Sequence, residues 1–70
     1  MTVDTEKLFI KADKEWDKGN LKKAFELFLE GAEAGHEGCQ NNLGVFYEGG
    51  YGIRKNLKKA LHWYKKKPSK

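Results

Sequence analysis

The sequence has one cysteine, Cys39, one proline, Pro68, and no acidic residue after Glu48. A lone cysteine cannot close an internal disulfide. No apolar run approaches the roughly 18 residues that a membrane helix needs. Leu8-Phe9-Ile10 is bounded by Lys7 and Lys11, which leaves no signal-peptide core. These absences make a soluble, cytoplasmic protein the expectation. With 70 residues, the chain is too short for a large catalytic domain. A chain of this size buries only roughly 60% of the surface it exposes when unfolded. Nine aromatic residues (two Trp, three Tyr and four Phe) offset this, because each brings a large area to a small core.

The missing acids make the chain electrically polar. Residues 1–48 hold ten acids and six bases, and residues 49–70 hold eight bases and no acid. The overall charge of +4 therefore divides into an acidic first part and a basic second part. Two readings follow. The parts attract each other, with salt weakening the attraction where the charges are exposed. Alternatively, the basic part contacts a nucleic acid or an anionic lipid surface.

What is present in abundance is repetition. Asn20-Leu21-Lys22-Lys23-Ala24-Phe25 returns 36 positions later as Asn56-Leu57-Lys58-Lys59-Ala60-Leu61. Repeat units of this length are usually helical hairpins that stack because neither buries its apolar face alone. Helical spacing predicts a first helix from Asp4 or Thr5 to about Lys18, with Leu8, Phe9, Ala12 and Trp16 on one face and Gly19 ending it. Asn20 is the expected cap of a second helix to about Ala34, whose stripe is Leu21, Ala24, Phe25, Phe28, Leu29 and Ala32. Gly35 closes it. A third helix is expected over 37–48 with Cys39, Leu43, Phe46 and Tyr47 inward, and Gly44 lets a neighbour approach. Gly49-Gly50-Tyr51-Gly52 must turn, Ile53 should plug the core, and Asn56 should cap a fourth helix over 57–66. That helix should turn Leu57, Ala60, Leu61 and Tyr64 inward with Trp63 beside them, and Pro68 limits its extension. Leu8 and Asn20 are 12 steps apart, and Leu43 and Asn56 are 13, so the second turn should be about one residue longer. The predicted fold class is all-α: one domain over 1–70, with hairpins at about 5–34 and 37–67 and a basic tail at 68–70.

The run Leu43-Gly44-x-x-Tyr47-x-x-Gly50-x-Gly52-Ile53-x-x-Asn56-x-x-Lys59-Ala60-x-x-Trp63-Tyr64 resembles a Sel-1-like repeat, a branch of the tetratricopeptide-like helical repeats. Ala32-x-x-Gly35-His36-x-x-Cys39-Gln40 continues the pattern upstream, with Cys39 where the family usually has alanine. Ile53 for valine and Asn56 for aspartate keep the same packing and capping roles. Residues 5–19 match only as a generic first helix. The resemblance implies two antiparallel hairpins stacked with a right-handed twist, and a class of work: adaptor scaffolds that hold other proteins. It implies an inner surface formed by the first and third helices, near Phe9, Asp13, Asn41, Val45 and Glu48. The family pattern expects small residues where Lys67-Pro68 stand, so the array is expected to stop there. Met1 fits an authentic N-terminus, and either a miniature repeat protein or an excised fragment fits the length.

Catalytic and metal chemistry find little footing. His36-Glu37-Gly38-Cys39-Gln40 has glutamine where a zinc-protease helix needs its second histidine. His36 and Cys39 share a helical face, but a structural zinc takes about four ligands. Cys39 with His62 lacks an oxyanion site. The glycine cluster has no Lys-Ser/Thr ending and follows no strand, so it is not a phosphate loop. No cofactor, metal or catalytic residue is expected. The leading expectation is a module that binds another protein or peptide, with leftover apolar surface on the end helices driving a homodimer. The alternative is a basic domain that binds nucleic acid or anionic lipid through residues 54–70, with Arg54, Lys55, Lys58, Lys65 and Lys66 as its patch.

Overall fold

The structure is a computed structural model, and it describes residues 4–66. It contains four helices: α1 (Thr5–Asp17), α2 (Leu21–Glu33), α3 (Glu37–Gly49) and α4 (Leu57–Lys66). No strand occurs among the described residues. α1 packs on α2, α2 on α3 and α3 on α4, so the helical hairpins are stacked as the repeat predicts. Lys67-Pro68 and the tail 68–70 lie outside the described residues.

Helix starts follow local chemistry. Asp4 caps α1, its carboxylate accepting from the Lys7 N–H at 3.1 Å. Asn56 caps α4 in the same way, its Oδ1 accepting from the Lys59 N–H at 3.0 Å. Asn20 differs from expectation. It occupies the N-cap position of α2 but makes no side-chain cap bond. Its Nδ2 instead donates to Glu15 Oε1 at 2.8 Å, because the tight turn through Gly19 brings the end of α1 within reach.

The two turns also differ more than the spacing predicts. Residues 18–20 join α1 to α2, whereas residues 50–56 join α3 to α4, because α1 winds on to Asp17. The longer turn is tied down by Gly50 and Tyr51 N–H groups donating to Phe46 O and by the Asn56 N–H donating to Tyr47 O at 2.8 Å. Gly52 has φ +66°, and a Cβ there would lie 2.8 Å from the Leu21 carbonyl carbon. Only glycine fits this crossing without strain. Gly44 serves a second close approach, since a Cβ on it would come within 2.5 Å of the Tyr64 ring.

The buried core consists of Ala12, Ala24, Phe28, Ala32, Cys39, Leu43 and Phe46. Phe28 and Phe46 stand at its centre with ring centroids 5.5 Å apart, and Trp16 meets Phe46 edge-on at 4.8 Å. Tyr51 folds back from the glycine turn onto Phe46 and Trp16. Ile53 packs against this cluster, as its position predicts. Ala24 and Ala60 are both buried, which lets the paired helices cross closely. Two expected core positions are not covered. Leu57 is 56% and Leu61 57% exposed, because α4 has α3 on one side and no described helix on the other. Trp63 and Tyr64 are half-buried.

Candidate interaction surfaces

The residues expected to form an inner surface lie on α1 and α3. Phe9 and Asp13 are one turn apart on α1, and Asn41, Val45 and Glu48 follow helical spacing on α3. Asp13 and Glu48 are exposed, while Phe9, Asn41 and Val45 are half-buried. The Phe9 ring stacks on His36 at 5.1 Å and leans on Phe28, so much of its surface serves the frame between the hairpins. Glu48 is already engaged, accepting from the Tyr64 hydroxyl at 2.8 Å. Burial first and this bond second push the Tyr64 hydroxyl above its ordinary pKa.

His36 joins the helices in a way that the sequence did not reveal. Its Nδ1 accepts from the Cys39 N–H at 3.1 Å and caps α3. Its Nε2 lies 3.0 Å from Glu6 Oε1 on α1. A ring that accepts at Nδ1 carries its proton at Nε2, where it can donate to the carboxylate. Cys39 has no free approach. It is fully buried against Gly31, and burial, with a smaller contribution from Glu6, pushes its thiol up to about 11. That environment keeps it protonated and unreactive. His62 is exposed on α4 beside Trp63 and does not share that interior.

On the opposite side, a groove of about 510 Å³ runs between α2 and α4 with Leu29, Tyr47 and Trp63 as its apolar floor. Glu33, Lys58, Lys59 and His62 form its rim. Lys59 sits over the Tyr47 ring at 5.6 Å from the centroid, within the range of a cation–π contact. Sequence periodicity placed Leu29 and Tyr47 in the core, and only the placement of α2 and α4 on either side of α3 opens this groove. Arg54, Lys55, Lys58, Lys65 and Lys66 are all exposed. Among the described residues, no group of three or more His, Cys, Asp or Glu side chains is placed to hold a metal ion, and no helix is long and apolar enough to cross a membrane.

The Sel1 repeat model matches residues 17–36 and again residues 38–66. The chain belongs to the Sel1 repeat family. The second match spans α3, the glycine turn and α4, and the first begins at the end of α1 and covers α2. Sel1 repeats are helical, tetratricopeptide-like units that generally mediate protein–protein interaction. No curated protein and no solved structure matches the chain.

Proposed function

We propose that this Sel1 repeat protein is an adaptor scaffold of the cytoplasm, without chemistry of its own, that holds a peptide or a partner helix along the inner surface of α1 and α3. The observation that carries the reading is the Sel1 match over residues 17–36 and 38–66, joined to a frame whose side chains are already ordered. Phe9 is fixed by its stack on His36, and Glu48 by its bond to Tyr64. Preordered groups lose little conformational freedom on binding, so a modest contact area can still give specificity. Asp13, Asn41 and Glu48 supply polar selection, and Phe9 and Val45 supply apolar contact. The surface is short, and an affinity of about 1 μM or weaker is expected for a single partner segment.

Affinity capture from the native source, read by mass spectrometry, tests this surface. The Asp13→Ala/Asn41→Ala/Glu48→Ala triple variant should lose the partners that the unmodified chain retains. Unchanged capture by a folded triple variant would overturn it. Titration with a random DNA duplex and with anionic vesicles at low salt should show no binding, since binding there would favour the basic residues as the working surface instead.

A further inference from the structure

α4 leaves an apolar stripe bare, and the internal repeat indicates what belongs on it. Leu57 and Leu61 are one turn apart and more than half exposed. Their counterparts 36 positions earlier, Leu21 and Phe25, are half-buried under the following hairpin. Leu21 lies beneath the glycine turn, so close that a Cβ on Gly52 would be 2.9 Å from its own Cβ. Phe25 lies beneath the end of α3, its ring 5.5 Å from Tyr47 and 6.5 Å from Phe46. The cover on this motif is therefore a helix that ends in adjacent aromatic residues and a glycine turn.

Charge narrows the choice further. α4 carries Lys58, Lys59, Lys65 and Lys66 and no acid. Helical spacing puts Lys58 and Lys65 beside the stripe on the side away from Ala60, and Arg54 and Lys55 precede it. We infer that the Leu57–Leu61 stripe docks an acidic amphipathic helix of a partner protein, which lays aromatic side chains on the two leucines and carboxylates against Lys58 and Lys65. This is helix-on-groove recognition, with complementary charge setting the partner.

A second copy of the chain fits less well. Two α4 helices placed face to face would bring their lysines together with no acid between them, and like charges so placed oppose association. α1 is no better cover for α4. It exposes Lys7, Lys11, Lys14 and Lys18, and Ile10 is its one exposed large apolar residue. The inference rests on the interaction reading above but uses a different surface, so the two can fail separately.

The test uses the full chain and a fluorescent synthetic helix with the sequence of residues 36–50. The helix carries Cys39→Ala, Gln40→Glu and Asn42→Glu, the last two flanking its aromatic face, and a hydrocarbon staple joining positions 41 and 45 on its far side. Binding by anisotropy should be strongest at low salt. Leu57→Ser with Leu61→Ser should weaken it at least about tenfold, since two leucines lose their apolar contact. Both positions are exposed, and an unchanged circular dichroism melt confirms the fold. Lys58→Glu with Lys65→Glu should also lose the probe, yet gain affinity for a probe carrying Gln40→Lys and Asn42→Lys instead. Absence of binding, equal affinity of the leucine variant, or indifference to the charge swap overturns the inference. So does a dimer by sedimentation that the leucine variant dissolves, since that assigns the stripe to a second copy. None of these outcomes alters partner capture through Asp13, Asn41 and Glu48.

Discussion

α2 and α4 begin with the same residues, Asn-Leu-Lys-Lys-Ala, and live in different surroundings. α2 lies between α1 and α3, whereas α4 has only α3 beside it among the described residues. The alanine is buried in both, because it faces the helix of its own hairpin. The leucine at the first helical position and the large residue four further on are covered in α2 and open in α4. Even the asparagines part company, one bonding to Glu15 and the other capping its helix. A local motif therefore determines which face is apolar, while the neighbours decide whether that face becomes core. Repeat proteins generally divide their stability in this way, between intrinsic units and the contacts between adjacent ones.

The most damaging change to this arrangement is at the seam between the hairpins. Phe28→Ala removes a fully buried ring that touches Phe9, Trp16 and Phe46, and should cost about 3–5 kcal/mol. Urea melts followed by circular dichroism and by tryptophan fluorescence should show both hairpins lost together. Two separate transitions would show that the hairpins stand independently. Trp63→Ala, at a half-buried position in α4, should cost clearly less in the same assay.

Gly52→Ala comes next, at about 1–3 kcal/mol, because it combines a positive φ with a clash against the Leu21 backbone. No equivalent contact exists in the shorter first turn, and thermal melts measure the loss. Asn56→Ala should cost about 1 kcal/mol through the lost cap of α4. Asn20→Ala should cost less, because no cap is lost there. The two substitutions should also diverge with pH. The Asn20 amide, aided by Lys18, holds the Glu15 carboxyl below its ordinary pKa. A depressed folded pKa contributes stability above the ordinary carboxylate range and loses it as pH falls through the depressed value. The Asn20→Ala deficit should therefore shrink in acid while the Asn56→Ala deficit persists.

The smallest effect is expected at the bare end. Leu61→Ser should change stability by no more than about 0.5 kcal/mol, because an exposed side chain loses little. Phe25→Ser, at the matching position of α2, should cost several times more in the same melt. Equal costs would mean that α4 is covered in solution.

Much of the fold was legible because it is written locally. Gly19, Gly35 and the glycine run mark the helix ends, and Asp4 and Asn56 have the geometry to cap. Periodicity placed Phe28, Leu43 and Phe46 inward, and all three are buried. Periodicity could not report that Leu57 and Leu61 lack a neighbour, since an amphipathic pattern is the same whether or not its apolar face is covered. The Asn20 bond to Glu15, the return of Tyr51 onto Trp16 and the bridge from His36 to Glu6 join residues whose proximity depends on the folded turns. The inner surface proposed here came from family resemblance, and its residues form spaced rows on α1 and α3. The groove between α2 and α4 had no sequence signal, because its walls come from separate helices.

Cys39 gives the protein a native stopwatch. Its sulfur is closed in between α2 and α3 and stays protonated well past neutral pH. An alkylating reagent can therefore reach it only when the hairpins come apart. The rate of modification in plain buffer would time that opening with no probe attached, and a bound partner that clamps the hairpins together would slow the reaction.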